Sequence, residues 1–525
     1  MRGVKAQGLL PGLAPPKKRG SGKKTASGGA APVPPTANDL PASSEAALEI
    51  EKDGGENAWP PMSEMLHSLL VSEPAAERPP RPSAPDSPPP DSREAHPVVV
   101  LGLDCACAEL NAQQRQLLAD AELICAGRPL LERVAEKTGD PDMGGRAVPF
   151  CSPVEPVFAR MAEARAAGRR VLVLADGDPL FFGLGASLVR RLGREAVRVI
   201  PAVSSMQWAC ARLGLPWHGV VNVSLHGRDN FVQLNAVVGL GVPVCVLTDG
   251  EMRPDVVAAH LLDRGVDWFE VHVFELLNFP DETACHVLLT EAAAMTFGPS
   301  CTMVLIPAGA PRRPYLGLDD SLLAAEGGLV TKLPVRAAAL AMLRIMPGHT
   351  VWDIGAGSGS VALEASVLAH PGRVVAVEKK AERVVCIEEN RRRFGAASVD
   401  IVSGEAPACL ENLPDPHRVF IGGGLSGKNA SADREGVLAQ VCRRLPTGGR
   451  VAINCVLLDT LARCRDFFQT QGWPCDVVCL QAAQSAPLGH DEHLVGMNPV
   501  FVLAAQKPQE PKRVPRRSQP PTEVL

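Results

Sequence analysis

The chain has 525 residues with 53 basic and 58 acidic side chains, so its net charge of −5 favours neither nucleic acid nor an anionic membrane as a partner. No apolar stretch reaches the roughly eighteen residues of a membrane-spanning helix, and we expect no membrane association. The 15 cysteines follow no repeating spacing, and several lie in apolar runs. This usage predicts a reducing, cytoplasmic environment rather than a disulfide framework.

Residues 1–96 differ in composition from the rest of the chain. They contain 17 of the 48 prolines, a single aromatic residue, Trp59, and no cysteine. Such a segment cannot bury enough apolar surface to fold, so we predict a disordered Pro-rich tail. The basic cluster in residues 17–24 leaves a nucleic-acid or nuclear-targeting arm as an alternative, and a start codon assigned too far upstream is another.

The first predicted domain covers residues 97–307. It begins with an apolar run of strand length at 97–101, and helical spacing follows from Leu110 to Ile124. A further helix is predicted at 184–192, and further strands at 171–175, 197–201, 242–247, 271–274 and 303–306. Apolar strands that alternate with helices indicate an α/β domain with a largely parallel sheet.

A Pro/Gly-rich stretch at 308–326 is predicted to be a linker. A second α/β domain is predicted at 327–507, and residues 508–525 form a second disordered tail. The strands expected in this domain are 350–354, 373–378, 399–403, 419–421, 449–456 and 500–505.

The strongest local signal lies in this second domain, where an apolar strand runs into Gly355-x-Gly357-x-Gly359 and then into a helix. Glycines let a backbone turn sharply and approach a ligand closely. The next strand ends at Glu378, and a carboxylate there can accept both ribose hydroxyls of an adenosine-type ligand. A nicotinamide-dinucleotide site and a purely structural turn remain alternatives.

Asp353 precedes the glycines, and residues 402–407 follow the third strand, so the whole pattern resembles class I S-adenosylmethionine methyltransferases. Residues 327–332, Arg336 and 346–348 resemble more closely the decarboxylating C15-methyltransferase domain of corrin biosynthesis. The first domain resembles the tetrapyrrole C-methylase family, in its C5-methyltransferase branch. The matching segments are 174–183, 199–205, 212–217, 224–228 and 247–250. The two domains in this order resemble the family of fused precorrin-6Y C5,15-methyltransferases.

The resemblance implies a two-lobed tetrapyrrole-methylase-like domain followed by a Rossmann-like class I domain, each with S-adenosylmethionine as cofactor. It implies methylation of C5 and C15 of a precorrin-6 type macrocycle in cobalamin biosynthesis, with decarboxylation of the C12 acetate side chain. The cofactor contacts expected in the second domain are Thr331, Gly355, Ala356, Gly357, Ser358, Gly359, Glu378, Glu405 and Ala406. Those expected in the first are Gly177, Asp178, Pro179, Ser204, Ser205 and Thr248.

The macrocycle carries many carboxylates, which basic side chains can position. The candidates are Lys332, Arg336 and Arg228, together with His226, while a solvated surface charge is the alternative for Lys332 and Arg336. Residues 391–393 are expected to be the exposed end of a helix. No catalytic nucleophile is predicted.

No metal site is predicted either. Cys105-x-Cys107 has the wrong spacing for a structural zinc pair, and His490-x-x-His493, if helical, lacks further ligands.

One segment departs from the family pattern. The first strand of the C-methylase family ends in a Gly-x-Gly loop, whereas residues 102–107 keep only Gly102. Because of this departure, a scaffold that has lost catalysis stays open as an alternative. Two further alternatives stay open on other grounds: a cobalt-containing macrocycle of the anaerobic route, since the metal would arrive with the substrate, and a nicotinamide-dependent oxidoreductase using the 355–359 loop. We expect a homo-oligomer whose partner is the small tetrapyrrole substrate.

Overall fold

The computed structural model describes residues 96–104, 109–140, 143–227, 231–423, 425 and 436–509. Apart from residues 96, 508 and 509, the two predicted tails lie outside this part of the chain. Within it, no helix combines the length and the apolar character that crossing a bilayer requires.

The described residues form α-helices and strands that alternate along most of the chain. The helices are α1 (Ala112–Asp120), α2 (Arg128–Thr138), α3 (Glu155–Ala166), α4 (Leu184–Leu192), α5 (Ser205–Leu213), α6 (Val232–Val237), α7 (Pro254–Asp263), α8 (Leu289–Ala292), α9 (Leu333–Leu343), α10 (Ser360–Ala369), α11 (Ala381–Phe394), α12 (Val437–Arg444) and α13 (Leu458–Thr470). The strands are β1 (Val98–Leu103), β2 (Leu123–Ala126), β3 (Ala147–Pro149), β4 (Val171–Asp176), β5 (Val197–Ile200), β6 (Val221–Ser224), β7 (Val244–Leu247), β8 (Phe269–Glu275), β9 (Thr283–Leu288), β10 (Cys301–Pro307), β11 (Thr350–Ile354), β12 (Arg373–Glu378), β13 (Val399–Ser403), β14 (Arg418–Ile421), β15 (Arg450–Cys455), β16 (Cys475–Leu480), β17 (Ala483–Leu488), β18 (Asp491–Gly496) and β19 (Val500–Gln506).

The first sheet is parallel throughout and has the strand order β3-β2-β4-β1-β5. Helices α1 and α2 cover one face, where Leu118 and Val134 are buried against the strands. Helices α3 and α4 cover the other face through Val157 and Leu188. Because both faces are covered, strands such as β4 consist of continuous apolar runs, which is why the sequence located them.

The second sheet has the order β6-β7-β10-β8-β9 and is mixed. Only β6 and β7 run parallel to each other, and the remaining neighbours are antiparallel. The prediction of a largely parallel sheet therefore holds for the first sheet and is wrong for the second. Antiparallel neighbours can be joined without a helical crossover. The alternation of strands and helices in the sequence therefore did not predict β9. The helical spacing from Leu110 to Ile124 was also overextended, because α1 ends at Asp120 and Ile124 belongs to β2.

The third sheet has the order β13-β12-β11-β14-β15-β19-β16, in which β13, β12, β11, β14 and β15 are parallel. Strands β19 and β16 complete it in antiparallel orientation. Helices α9, α10 and α11 pack on one face, and α12 and α13 on the other. This is a doubly wound, Rossmann-like arrangement, as the sequence predicted, with β11, β12 and β13 at the predicted bounds.

Part of the predicted linker is built into this third-sheet domain. Leu318 is fully buried and Leu323 nearly so, and both belong to the core between the sheet and α9–α11. We call residues 318–324 the strap. The strap therefore behaves as part of the second domain rather than as a free connection.

The second and third sheets meet at a contact surface that we call the seam, formed by Asp263, Arg264, Arg391, Ala397 and Asp400. Arg264 Nη2 donates to Asp400 Oδ1 at 2.6 Å, and its Nη1 donates to the carbonyl of Ala397 at 2.6 Å. Arg391 donates to Asp263 Oδ2 at 3.0 Å. The Arg391 side chain is only 6% exposed, so the prediction that residues 391–393 form an exposed helix end is wrong for its first residue. Burial lowers the pKa of this guanidinium, and the nearby Asp263 opposes that effect.

Candidate functional site

The three glycines of residues 355–359 all adopt positive φ, between +60° and +77°, at the carboxyl end of β11. A Cβ at Gly355 would lie 2.9 Å from the amide nitrogen of Gly423, and one at Gly359 would lie 2.9 Å from Cγ2 of Ile387. No atom lies within 4 Å of the corresponding point at Gly357. Packing and backbone conformation thus both require the outer glycines, while the middle glycine faces open space.

Glu378 lies beside this loop at the end of β12 and is only 4% exposed. Its Oε2 accepts from the amide of Gly357 at 2.9 Å, and its Oε1 accepts from the amides of Lys379 and Lys380 at 2.9 and 3.0 Å. A carboxylate offers about four lone-pair sites, so about one remains for an outside donor. Accepting both ribose hydroxyls would therefore require the Gly357 bond to be shared or released.

Asp353 and Ser358 carry buried polar atoms without hydrogen-bond partners among the described residues. Both carboxylate oxygens of Asp353 and Oγ of Ser358 are in this state. Burial raises the pKa of Asp353 to about 7, the amide of Ala362 opposes the shift, and the charge of Glu378 adds to it. Buried polar groups are normally paired, so orphaned ones at the loop indicate a missing ligand.

These residues fit S-adenosylmethionine. A sulfonium or ammonium group would compensate the unpartnered Asp353 carboxylate, and a ribose hydroxyl could donate to the remaining site on Glu378. The backbone at Gly357 leaves the space that a close-lying ligand needs.

The other contacts predicted for this domain lie along the same edge of the sheet or at the start of α9. Glu378 pairs with Ser403 in register, which brings residues 404–406 next to it. Ala406 is half-buried, whereas the Glu405 side chain is 61% exposed and its Oε1 lies 3.1 Å from Nζ of Lys379. Thr331 immediately precedes Lys332, the N-cap of α9. The Lys332 side chain is 47% exposed, with Nζ 3.7 Å from Asp320 Oδ2, so it remains accessible to a ligand.

Arg336 does not occupy the position expected of a substrate-binding residue. Its side chain is fully buried and donates to Glu364 Oε1 at 2.7 Å and to Asp320 Oδ1 at 3.0 Å. It also donates to the carbonyls of Thr331 and Leu318. The prediction of Arg336 as a substrate contact and the alternative of a surface charge are both wrong. Its donors are used inside the protein, where they hold the strap and α10.

The sequence did not single out Asn390, which joins the strap to the glycine loop. Asn390 is fully buried on α11, and its Nδ2 donates to the carbonyls of Ala324 and Ser358 at 2.9 and 2.8 Å. Its Oδ1 accepts from the amide of Ala324 at 2.8 Å. No sequence signal marked it, since an asparagine in a charged helix is ordinarily a surface residue.

In the first domain, the carboxyl ends of β1, β4 and β5 converge. A Cβ at Gly102 would lie 2.7 Å from the carbonyl oxygen of Gly177 and 2.9 Å from Cβ of Ala202, so only glycine fits there. Gly177, at φ +66°, donates its amide to Leu103 at 2.7 Å. The retained Gly102 therefore has a packing role that does not depend on the missing second glycine. Of the residues that replace the family pattern, 105–108 lie outside the described part.

Asp178, Pro179 and Ser204 belong to the two turns at this edge, and Ser205 is the first residue of α5. Asp178 Oδ1 accepts from the amide of Leu180 at 2.8 Å and so closes its turn. Ser204 is buried and caps α5, where its Oγ accepts from the amide of Gln207 at 3.3 Å. Its hydroxyl is thus already engaged, and a ligand would meet mainly the backbone of this turn.

Thr248 and His226 follow the parallel strands β7 and β6 of the second sheet. Thr248 is buried and its Oγ1 donates to the carbonyl of Cys301 at 2.9 Å, whereas His226 is exposed. Asp249, which the sequence did not single out, accepts from the amides of Gly227 and Met252 at 2.7 Å each. These amide bonds lower the pKa of Asp249 and join the two strand ends. Arg228 lies outside the described residues.

Comparison with known proteins identifies both domains. Residues 105–293 match a family model described as Tetrapyrrole (Corrin/Porphyrin) Methylases, and residues 323–507 match one described as Precorrin methyltransferase domain. The chain is 31% identical over 395 residues to a precorrin-6Y C(5,15)-methyltransferase (decarboxylating) of Sinorhizobium sp, covering 75% of this chain and 91% of that protein.

Other proteins match 36–37% of the chain over nearly their whole length. The chain is 33% identical over 190 residues to a cobalt-precorrin-6B C(15)-methyltransferase (decarboxylating) of Salmonella typhi, covering 36% of this chain and 95% of that protein. Among solved structures, a precorrin-6Y C5,15-methyltransferase from Geobacter metallireducens GS-15 is 38% identical, with a TM-score of 0.34, and the match covers 37% of this chain and 98% of that one.

The match to the Sinorhizobium protein spans 395 residues, more than either domain contains, and 91% of that protein. The glycine loop, Glu378 and the carboxyl ends of β4 and β5 lie within the two matched regions. The chain therefore belongs to the family of fused, decarboxylating precorrin-6Y C(5,15)-methyltransferases.

Proposed function

We propose that this chain methylates C5 and C15 of a precorrin-6 type macrocycle in cobalamin biosynthesis and removes CO2 from the C12 acetate side chain. The N-terminal domain would act at C5 and the C-terminal domain at C15. The observation that carries the proposal is the match to both domains, in order, over 91% of a relative named for this activity.

S-adenosylmethionine supplies an electrophilic methyl group at each site. The protein has to hold that group in line with the ring carbon, and orientation alone can supply much of the rate enhancement. The electron-rich carbons of the reduced macrocycle need little help from a nucleophilic side chain. In the C-terminal domain, the loop at Gly355–Gly359 and Glu378 would fix the nucleoside, and Asp353 would face a cationic part of the cofactor.

For the cofactor, we keep the contacts at Thr331, the glycine loop, Glu378, Glu405 and Ala406 as part of this proposal. Lys332 is the substrate-binding candidate that its exposure supports best. His226, at the end of β6, is the corresponding candidate of the N-terminal domain. Loss of CO2 would send the electron pair of the broken C–C bond into an adjacent imine-type system of the ring.

The test is to incubate the full chain with a precorrin-6Y-type macrocycle and methyl-labelled S-adenosylmethionine. We expect a product that has gained two labelled methyl groups and lost one CO2, as read by mass spectrometry. Incorporation of one methyl group, at C15, would assign a defect to the N-terminal domain, which contains the altered segment 102–107. No incorporation, with intact folding, would favour the scaffold alternative. Binding of NAD(H) in place of S-adenosylhomocysteine would favour an oxidoreductase.

A cobalt-containing macrocycle is the second candidate substrate. It is favoured by the relatives of the C-terminal domain that are named for cobalt-precorrin-6B, whereas the two-domain relatives are named for precorrin-6Y. We place the cobalt-free substrate first because the relative named for precorrin-6Y matches 75% of this chain, whereas the one named for cobalt-precorrin-6B matches 36%. Parallel assays with the metal-free and cobalt-containing ring decide between them.

We also propose that the enzyme acts in the cytoplasm as a homo-oligomer. The β17–β18 hairpin supports an oligomer, because it exposes Leu488, Leu494 and Val495, of which Leu494 is 73% exposed. An isolated two-stranded hairpin is only marginally stable in water, and a second copy would cover it. His493 lies on β18 of this hairpin and His490 in its turn, so the helical arrangement considered for this pair is wrong. Light scattering should give a multiple of 55.5 kDa.

A further inference from the structure

Two histidines and a glutamate meet on strands β8 and β9, outside the residues assigned above. His272 and His286 lie directly opposite each other in the antiparallel pair, and Glu270 lies two residues before His272, on the same face. The two imidazole rings are stacked, with centroids 4.3 Å apart and planes 3° from parallel. His286 Nε2 and Glu270 Oε2 are 3.1 Å apart.

One ligand atom from each of the three residues lies within 4.8 Å of the other two. In a tetrahedral zinc site, bonds of about 2.1 Å place the ligand atoms roughly 3.4 Å apart. The three side chains therefore need to approach one another by an ångström or so, while the strand register already fixes their backbones.

The rings also have to open from their stacked arrangement, because an imidazole binds a metal in the plane of its ring. The His286 side chain is 55% exposed and that of Glu270 is 40% exposed, so both can rotate without disturbing the core. Among the described residues, no hydrogen bond reaches the ring of His272, which leaves its nitrogens available.

We propose that Glu270, His272 and His286 bind a divalent transition-metal ion, with Zn²⁺ or Co²⁺ as the best-suited class. Two imidazoles and one carboxylate are borderline ligands that suit these ions better than Mg²⁺ or Ca²⁺. Three protein ligands leave a position open to water. The sequence does not reveal this site, because His272 and His286 belong to different strands and the antiparallel pairing brings them together.

Metal binding would stabilise the edge of the second sheet. Among the described strands, β9 pairs with β8 alone, and the ion would join the two strands across their side chains. An ion that binds the folded chain and not the unfolded one stabilises the fold by mass action. The three residues lie on β8 and β9, whereas the glycine loop follows β11. A test of metal binding is therefore independent of a test of the proposed function.

The test uses the full, tag-free chain, stripped with a chelator and then dialysed. Titration calorimetry with ZnCl2 should show one equivalent of tight binding, which His272→Ala and His286→Ala each weaken at least tenfold. His286→Gln serves as a milder variant in case a substitution affects folding, which circular dichroism would reveal. His493→Ala, at an exposed histidine on β18, is the matched control and should bind as the parent chain does.

A second readout is the visible absorption of bound Co²⁺, which should fall with the loss of either histidine. Thermal unfolding should shift upward with Zn²⁺ in the parent chain and not in His272→Ala. Equal zinc affinity in the parent and in the His272→Ala/His286→Ala double variant would place the ion elsewhere and overturn the proposal. So would the absence of stoichiometric Zn²⁺ binding by the parent chain.

Discussion

At the scale of single residues, Glu378 links the glycine loop to the following strand end. Its carboxylate accepts three backbone amides and keeps about one site for an outside donor. We predict that Glu378→Ala weakens S-adenosylhomocysteine binding to the C-terminal domain by about 1–3 kcal/mol, the scale of a lost charge-assisted hydrogen bond. Titration calorimetry measures this change.

The matched control is Glu389→Ala, because Glu389 is an exposed carboxylate on α11 that pairs with Arg393. It should leave the affinity unchanged. Since Glu378 also holds Gly357, the unfolding free energy of both variants should be measured alongside. Unaltered affinity in a folded Glu378→Ala variant would remove Glu378 from the cofactor site.

Asp353 gives the second prediction at this scale, which concerns pH. Its pKa is raised to about 7 in the folded chain from an ordinary value of 3.8. The folded state therefore binds the proton more tightly, and this residue's contribution to stability is fully present below about pH 4 and is lost as pH rises to about 7. Asp353→Asn removes this pH-dependent contribution to stability, so the ligand-free variant should gain stability relative to the parent as pH rises.

Denaturant unfolding at pH 5 and pH 8 measures the difference. A shift of about three pKa units corresponds to at most ~4 kcal/mol. The same substitution should weaken cofactor binding, because the neutral amide no longer compensates a cationic group. A stability difference that stays constant between the two pH values would mean that Asp353 is already ionised and paired in the folded protein.

At the scale of elements, the strap gives the third prediction. Arg336 is the buried anchor of this segment and holds Glu364, Asp320 and two backbone carbonyls. Arg336→Met leaves the buried Glu364 without its cation, and breaking a buried ion pair in this way costs about 3–5 kcal/mol. Arg465→Met, at an exposed arginine of α13, should cost well under 1 kcal/mol.

Chemical denaturation compares the two variants. We also expect the affinity for S-adenosylhomocysteine to fall in Arg336→Met, since the strap contacts Asn390, which holds the carbonyl of Ser358. If Arg336→Met is as stable as Arg465→Met, the strap is not anchored as the structure indicates.

The same elements show what could be predicted from sequence. Strands β11, β12 and β13 were placed correctly because buried parallel strands are uninterrupted apolar runs. The Gly355–Gly359 loop was recognised because its positive φ values and close packing admit little besides glycine. Strand β9, with largely exposed side chains, has neither signal.

The sequence did not predict the long-range contacts, for a related reason. Arg336 and Asn390 have side chains that are ordinarily exposed, and their burial depends on partners such as Glu364 and Ala324 that lie 28 and 66 residues away. Local patterns contain no information about such partners. The sequence thus located the backbone of the candidate site but not the side chains that hold it in position.

At the scale of the whole molecule, the seam determines how the two catalytic domains are joined. On the third sheet, Ala397 and Asp400 lie at the amino-terminal end of β13, whereas Glu378 and residues 404–406 lie at the opposite, carboxyl-terminal edge. On the second sheet, Asp263 and Arg264 precede β8, which runs in the same direction as β7, while Thr248 follows β7. Glu378 on the third sheet and Thr248 on the second therefore lie away from the seam, by about 15 Å for a five-residue strand.

This geometry predicts that the seam stabilises the chain without taking part in methyl transfer. Arg264→Ala removes the bonds to Asp400 and to the carbonyls of Ala397 and Val399. Because Arg373 still pairs with Asp400, no carboxylate is left uncompensated, and we expect a loss of about 1–3 kcal/mol rather than the full penalty of a broken buried pair.

Calorimetry should then resolve two unfolding transitions, and limited proteolysis should increase between residues 308 and 317, while both methyl transfers persist at 25 °C. Arg198→Ala, at an exposed arginine of β5 outside the seam, should unfold as the parent chain does. Two outcomes would contradict this account for different reasons. An unaltered calorimetric profile would mean that the seam contributes little to stability. Loss of one methyl transfer in an otherwise folded Arg264→Ala chain would mean that the seam couples the two sites, although Glu378 and Thr248 lie away from it.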